Sequence, residues 1–466
     1  MNIFWHRRDL RTTDNVGLAH ASSADDVVPV FIFDPAVMTH ASPPRMAFLI
    51  EAVGALQEWY RGRGGDLHIR HGDPADILPT LALEHDVGVV TWNRDYSGLA
   101  RRRDAAVRRA LADAHVERQA FDDAVFHPPG EILTNQGDPY AVYTYFWRKW
   151  RDREKPHPLA APTSDRLRQL DGDPIPELDD LGFETPDGEI PDAGMGPAAA
   201  RLESFCQEAI YRYEQDRDYP ARAGTSRLSV DLKYGTVGIR AVYAATERAL
   251  STAPDEAARE AVEAFRSQLA WREFYTQVLF YHPHVVSEDY RSYEHSIEWR
   301  DDEAALTAWK RGETGYPIVD AGMRQLRAEA YMHNRVRMIV ASFLTKDLLI
   351  DWREGYAHFR DQLVDHDTGN DTGGWQWAAS TGTDAQPYFR IFNPMTQGER
   401  YDPDATYIKR YVPELAEATP AQIHGWHELD PTVRSTVAPA YPAPIVDHSQ
   451  RREAALAMFE AARGDA

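Results

Sequence analysis

From Asp365 to Trp377 the chain reads Asp-His-Asp-Thr-Gly-Asn-Asp-Thr-Gly-Gly-Trp-Gln-Trp, which gathers three carboxylates, a histidine and two indoles into one turn-rich run. Such a run suits a cation loop, or a wall that hydrogen-bonds a polar ligand and stacks tryptophan beside it. A calcium loop wants oxygen ligands at alternate positions, glycine at the sixth and glutamate at the twelfth. Here the fifth position is Gly369, the sixth Asn370 and the twelfth Gln376, so calcium is disfavoured and no metal is expected. Gly224-Thr225-Ser226-Arg227-Leu228-Ser229 offers hydroxyls and main-chain N–H groups on a glycine-led turn, which serves as a phosphate cradle or as an ordinary helix cap. Gln268, Trp271 and Tyr275 fall at i, i+3 and i+7, and Asn334 with Met338 at i, i+4. The aromatic pair alone fits an amphipathic core equally well. A glutamine, an asparagine and a thioether on the same stripes suit a pocket that stacks on and hydrogen-bonds flat polar rings. Trp375 and Trp377 lie two residues apart, so on a helix their rings point roughly 200° apart.

The elements that position these residues fall into two kinds. In the first 130 residues, Ile3–Trp5, Val27–Phe33, Leu67–Arg70, Gly88–Trp92 and Arg118–Phe121 read as strands. Helical patterns over Arg45–Arg61, Pro74–Glu84 and Leu99–Ala114 alternate with them, and Asp73-Pro74 has the chemistry of a helix start. This predicts an α/β doubly wound parallel-sheet N-terminal domain over 1–130. No Gly-x-Gly-x-x-Gly follows the first strand, so no dinucleotide is expected there. Residues 131–197 read as an interdomain linker; from Arg151 on they are acidic and carry Pro156, Pro158, Pro162, Pro174, Pro176, Pro186 and Pro191. Beyond it helical periodicity dominates, over Ala198–Arg217, Ile239–Ala249, Asp255–Tyr281, Asp302–Arg311, Val319–Glu329, Asn334–Leu349 and Arg353–Val364. Residues 198–466 are therefore expected to form a large all-α C-terminal domain.

Composition bounds the partners. No apolar run is long enough to span a bilayer, the charged start Met1–Arg11 is not a signal peptide, and the single Cys206 excludes an internal disulfide. A soluble, cytoplasmic protein without a membrane partner is expected. The net charge is −22, and only Lys149, Lys155, Lys233, Lys310, Lys346 and Lys409 are lysines, a balance suited to concentrated intracellular salt. Net charge argues against a nucleic-acid partner. The stretch Met323–Lys346 argues the other way, with Arg324, Arg327, Arg335, Arg337 and Lys346 against Glu329 alone.

The run Asp365–Trp377 continues to Pro387-Tyr388-Phe389-Arg390-Ile391-Phe392-Asn393-Pro394, and this resembles the flavin-binding core of the DNA photolyase and cryptochrome family. The likeness extends through Phe4-Trp5-His6-Arg7-Arg8-Asp9-Leu10-Arg11, the Gly224–Ser229 turn, Trp271-Arg272-Glu273-Phe274-Tyr275, Gly315–Asp320 and Met332-His333-Asn334-Arg335. It covers nearly the whole chain in matching order, and within the family it points to class I cyclobutane pyrimidine dimer enzymes of haloarchaeal type. The resemblance implies light-driven DNA repair with FAD, active in its reduced form, bound in the helical domain. It implies cofactor contacts from Tyr213, Thr225, Ser226, Arg227, Leu228 and Ser229 on the phosphate side. Asp365, His366 and Asp367, with Phe265, Arg272 and Arg337, fall to the remainder, Arg337 pairing with one of the acids. Trp299, Trp352 and Trp375 match a chain of tryptophans that carries an electron to the flavin. For ultraviolet-damaged DNA it implies Arg217, Gln268, Trp271, Tyr275, Asn334, Arg335, Met338, Trp377, Arg390 and Gln397, with the lesion flipped out of the duplex. No protein partner is evident.

Two departures keep rivals in view. Asp371 stands beside flavin N5, where repairing relatives usually carry asparagine and plant cryptochromes aspartate, so a blue-light photoreceptor without repair is one alternative. Gln268 stands where cyclobutane enzymes usually carry glutamate and (6-4) photolyases glutamine. Those (6-4) enzymes carry two histidines at the positions of Asn334 and Met338, and neither of these residues exchanges a proton near neutral pH, which favours the cyclobutane lesion. A second, light-harvesting chromophore is expected. Folate-using relatives carry glutamate in the stretch matching Tyr96–Arg103, which here reads Tyr-Ser-Gly-Leu-Ala-Arg-Arg-Arg, so a deazaflavin antenna is favoured over folate.

Overall fold

The computed structural model describes residues 1–464. They form two compact units, the first built from 1–186, 191–212 and 226–283, the second from 187–190, 213–225 and the chain from His284 onward.

The first unit holds a five-stranded parallel sheet of β1 (Asn2–His6), β2 (Val27–Phe33), β3 (His68–His71), β4 (Val89–Asn93) and β5 (Glu117–Phe121), in the order β3-β2-β1-β4-β5. All seven residues of β2 are buried, as a parallel strand covered on both faces requires. Around the sheet run α1 (Val16–Ala24), α2 (Pro43–Arg61), α3 (Pro74–Glu84) and α4 (Gly98–Asp113). Asp73 caps α3, accepting the Ala75 N–H at 2.8 Å with Pro74 in the first turn. The helix α1 was not expected: its Ala/Ser-rich sequence has almost no apolar stripe, and Asn15 starts it by accepting the Leu18 N–H at 3.1 Å. A further helix, α5 (Tyr143–Asp152), rises in the stretch read as linker, held by the buried stripe Tyr143, Phe146 and Trp150. The unit is completed by α6 (Ser229–Tyr234), the 26-residue α7 (Glu256–Tyr281) and shorter helices.

The second unit is helical. The elements that matter for the site are α8 (Asn334–Ser342), α9 (Trp352–Gln362), α10 (Thr368–Ala379) and α11 (His448–Arg463). Its core gathers Trp309, Tyr316, Phe343, Trp352, Trp375, Tyr407 and Trp426. One helix was expected from Asn334 to Leu349. The chain instead widens at Phe343–Asp347 into a π turn, where the adjacent charges Lys346 and Asp347 are both fully buried and reach different partners. Lys346 Nζ donates to Ser380 Oγ at 2.9 Å, and Asp347 Oδ1 meets His448 Nδ1 at 2.5 Å. The helix expected over Ala198–Arg217 is likewise broken, into Met195–Gln207, a 3-10 turn at Ala209–Arg212 and a short helix Tyr213–Asp216.

Candidate functional site

In the second unit, α8 and the start of α10 build a charge-balanced corner. Arg337 Nη2 donates to both oxygens of Asp365, at 3.0 and 2.8 Å, and its Nη1 lies 3.6 Å from Asp371. The Arg337 side chain is 18% exposed and that of Asp365 3%, so each charge needs the other to stay away from water. Burial alone would lower the guanidinium pKa, but the Asp365 and Asp371 carboxylates outweigh it and raise it. Asp371 Oδ2 accepts the Asp367 N–H at 2.9 Å and lies 2.7 Å from His366 Nδ1. Asp367 caps α10, its Oδ1 accepting the Asn370 N–H at 3.2 Å and Nδ2 at 2.9 Å. The acidic run thus divides its work into a salt-bridged acid, a helix cap and a central carboxylate with partners on both oxygens.

The indoles separate as the helical angle demands. Trp375 is buried, 4.9 Å from Phe359 and 6.0 Å from Trp309, whereas Trp377 is half-buried, 6.4 Å from Phe392. Trp352 sits in the same core as Trp375 and donates its Nε1–H to Asp289 at 2.8 Å. Trp299 is half-buried at the core margin, edge-on to Phe459 at 6.0 Å. On the outer face of α8, Asn334 is exposed and its Nδ2 lies 3.9 Å from Met338 Sδ. Arg335 pairs with Asp218 at 2.8 Å and lies over the Tyr401 ring at 4.5 Å. Arg217 stands 5.7 Å from the ring of the buried Tyr213, and Gln397 is half-buried. Thr225 follows Gly224, which packs so closely on Asp216 that a Cβ would come within 2.8 Å of its backbone. Arg390 is exposed beside Phe389, which is 61% exposed. That Phe389 would be laid bare was not read from the sequence, although it lies inside the motif Pro387–Pro394.

In the first unit, Arg227 adopts a left-handed φ of 52° and Leu228 follows at φ −82°, ψ 3°. Left- and right-handed residues in succession turn their N–H groups into one concavity, an anion nest. No side chain caps α6, which starts at Ser229, and the Leu228 N–H reaches Ser226 Oγ at 3.3 Å. Arg272 braces this turn, donating to Leu232 O of α6 at 3.2 Å and to Ala124 O at 2.6 Å. Phe265 is buried against Phe205 at 4.7 Å. Trp271 is half-buried with one face covered by Tyr143, stacked at 3.7 Å and 10°. Tyr143 is pinned by its hydroxyl, which donates to Ser267 O at 2.5 Å. Tyr275 is buried 5.4 Å from Trp271, and Gln268 Nε2 donates to Ser267 Oγ at 3.0 Å. Sequence reading missed Tyr143, whose only signal is the apolar stripe of α5. It also gave no role to Glu273, which is buried and accepts the N–H groups of Phe126 and His127, each at 2.9 Å. Burial pushes the Glu273 carboxyl up to about 7 and the His127 imidazole down to about 4.

The sheet has its topological switch between β1 and β4, where open α/β sheets hold ligands at the carboxyl ends of the strands. Arg7 follows β1 and bonds Asp104 at 2.5 Å. Arg103 on α4 lies 3.4 Å from Asp34, which follows β2, and 5.0 Å from the Trp5 ring centroid. Its Nε is buried without a hydrogen-bond partner, the kind of donor a bound group would satisfy.

Residues 2–163 match the family model described as DNA photolyase, and residues 265–461 match the one described as the FAD binding domain of DNA photolyase. A deoxyribodipyrimidine photo-lyase of Halobacterium salinarum is 62% identical, with 100% of this chain and 100% of that protein covered. The crystal structure of a class III photolyase from Agrobacterium tumefaciens superposes with TM-score 0.92 at 37% identity, covering 99% of this chain and 98% of the other. An archaeal photolyase from Sulfolobus tokodaii, solved with two FAD molecules, gives TM-score 0.83 at 32% identity, covering 99% of this chain and all of that one.

Proposed function

The chain belongs to the DNA photolyase family, and from that premise we propose that it uses bound FAD and light to split cyclobutane pyrimidine dimers in ultraviolet-damaged DNA. One observation carries the reading. On α8, Asn334 and Met338 stand together on the outer face, while Arg337 from the same helix turns inward to Asp365 and Asp371. A single helix therefore serves a base-binding surface on one side and a cofactor corner on the other.

The residues present fit a flavin nucleotide. The nest at Arg227 and Leu228, with Ser226, Ser229, Thr225 and Tyr213, would take its phosphates. Asp365, paired with Arg337, and Asp367, at the α10 cap, would accept hydroxyl hydrogen bonds beside His366. Phe265 and Arg272 would back the cofactor side, Arg272 as a brace of the turn. FAD held by these residues would provide the light-driven electron transfer that the lesion's ring opening needs. Trp375, Trp352 and Trp299 would form the route by which that cofactor is kept reduced. Trp377 and Trp271 would stack on the flipped bases, with Tyr275 behind Trp271. Gln268 and Asn334 would bond base edges, Met338 would fill the remaining space, and Arg217, Arg335, Arg390 and Gln397 would hold the backbone. Asn and Met move no protons, which suits a cyclobutane ring, whose opening needs only an electron, over a (6-4) lesion.

A second chromophore is assigned to the first unit, where Arg103, Arg7 and Trp5 stand at the sheet's switch point; a deazaflavin is favoured over folate because Tyr96–Arg103 carries no glutamate. Residues 1–130 would then serve light harvesting and 198–466 repair, joined by 131–197. No helix among the described residues is long and apolar enough to cross a membrane, and we place the enzyme in the cytoplasm. The photoreceptor alternative rests on Asp371, whose two oxygens are held by Arg337, the Asp367 N–H and neighbouring His366.

The test is illumination of the reduced holoprotein with two oligonucleotides, one carrying a cyclobutane dimer and one a (6-4) product. Restored thymines are expected from the first alone. Restoration of the second alone would make it a (6-4) enzyme, and restoration of neither would leave a photoreceptor.

A further inference from the structure

The helix α5 has two unlike faces. Inward it buries Tyr143, Phe146 and Trp150, with Tyr143 lying flat on Trp271. Outward it exposes Val142, Tyr145, Arg148 and Arg151 at three-residue spacing, Tyr145 being 56% exposed. From Pro139 to Arg151 there is no acid, in a chain with 73 acidic residues and a net charge of −22. The same stretch carries Arg148, Lys149 and Arg151. Lys149 is committed, its Nζ donating to Leu133 O at 2.9 Å, and Arg151 lies 3.1 Å from Asp152. Arg148 has no acid partner among the described residues; its guanidinium carbon stands 5.8 Å from the Tyr145 ring centroid. This surface is basic and aromatic, with one acid, Asp152, at the end of the helix beside Arg151, and its buried side supports the tryptophan assigned to the lesion.

We infer that α5 is a docking rail for the DNA duplex flanking the lesion, with Arg148 and Arg151 meeting phosphates and Tyr145 making apolar contact with a deoxyribose. The inference rests on the repair reading above. Its occupant follows from charge and continuity. The helix whose Tyr143 backs Trp271 is contiguous with the tryptophan assigned to the lesion, and a basic surface on an otherwise acidic chain selects a polyanion. A phosphate contact weakens steeply with salt, each losing close to one unit of slope in log K against log salt. A tyrosine contact does not, so the pairing of Tyr145 with arginine preserves part of the grip in concentrated salt.

The experiment compares wild type, Tyr145→Ala and the double variant Arg148→Gln/Arg151→Gln as reduced holoproteins. Binding is read by anisotropy on a labelled duplex of about twenty base pairs with one central cyclobutane dimer, across a salt series. Repair is read on a lesion-bearing trinucleotide too short to reach α5. The double variant is expected to bind the duplex about tenfold more weakly at low salt and to lose roughly two units of salt slope, since two phosphate contacts go. Tyr145→Ala is expected to lose about fivefold or more at every salt concentration, with an unchanged slope. Repair of the trinucleotide should match wild type in both. Duplex affinity and slope equal to wild type in both variants would overturn the rail while leaving repair intact. Trinucleotide repair falling in parallel with duplex binding would also overturn it, by placing these residues in the lesion pocket. A wild type that repairs neither substrate would instead sink the function from which the inference starts.

Discussion

Gly355 lies inside α9 directly beneath the indole of Trp375. A Cβ there would sit 2.6 Å from Leu344 Cδ2 and closer still to the six-membered ring of Trp375, where ordinary contacts begin at 3.4 Å. The ring has nowhere to retreat, because Phe359 at 4.9 Å and Trp309 at 6.0 Å close around it. Two terms oppose each other in Gly355→Ala. Alanine is the better helix former by about 1 kcal/mol, whereas forcing a methyl into a packed core costs about 1–3 kcal/mol. A rigid ring caught between two other rings belongs at the upper end of that range, so a net loss of about 1–2 kcal/mol is expected. Gly54→Ala supplies the control: Gly54 lies within α2 with nothing inside 4 Å of the added methyl, so it should gain about 0.5–1 kcal/mol. Urea midpoints of the two variants should therefore move in opposite directions. Gly355→Ala should also change the near-ultraviolet circular dichroism and slow light-driven reduction of the bound flavin. A Gly355→Ala protein as stable as Gly54→Ala would refute the packing argument for Trp375.

Three further variants test the remaining buried ionisable groups. Arg337→Met leaves Asp365 and Asp371 without their cation and should cost about 3–5 kcal/mol and most of the bound flavin; adding Asp365→Asn should recover part of the stability, and equal losses in single and double variants would contradict the pairing. Asp371→Asn keeps an acceptor for the Asp367 N–H but removes a charge, so stability should fall by about 1–3 kcal/mol while cyclobutane repair persists; loss of repair at full flavin occupancy would make Asp371 essential to the chemistry. Glu273 titrates at about 7 when folded against 4.5 when unfolded, so the folded state holds the extra proton and stability falls as pH rises from 4.5 to 7, by about 3 kcal/mol. His127, at about 4 instead of 6.5, acts in the opposite sense, its stabilisation being lost as pH falls from 6.5 to 4. Glu273→Gln should abolish the first slope and unmask the second in urea titrations; parallel curves for variant and wild type would remove Glu273 from the argument.

Local chemistry was legible and long-range contact was not. The strands and the Asp73-Pro74 cap follow from periodicity and from groups within a few residues of one another. The pairing expected of Arg337 is present because a buried carboxylate demands a cation, and the choice between Asp365 and Asp367 fell to geometry: Asp367 is spent on capping α10. By contrast, no local pattern announces that Tyr143 stacks on Trp271, since the contact joins two helices far apart in the chain. The π turn at Phe343–Asp347 is invisible for a similar reason. It holds two buried ionisable side chains, Lys346 and Asp347, whose partners Ser380 and His448 lie on other elements. The helix α1 escaped because its start depends on a single asparagine cap and its body carries no apolar stripe.

The two-faced helix α8 has an evolutionary corollary. Asn334 and Met338 face outward and touch one another, while Arg337 of the same helix pairs with Asp365 and Asp371 at the corner we assign to the cofactor. If these assignments hold, substitutions at 334 and 338 can drift, be selected and be reversed without passing through variants that lose their cofactor. On the proposed roles, substrate choice and cofactor retention become separately inheritable traits on nine consecutive residues. A library randomised at those two positions should keep its yellow colour almost throughout while scattering in which lesion it accepts.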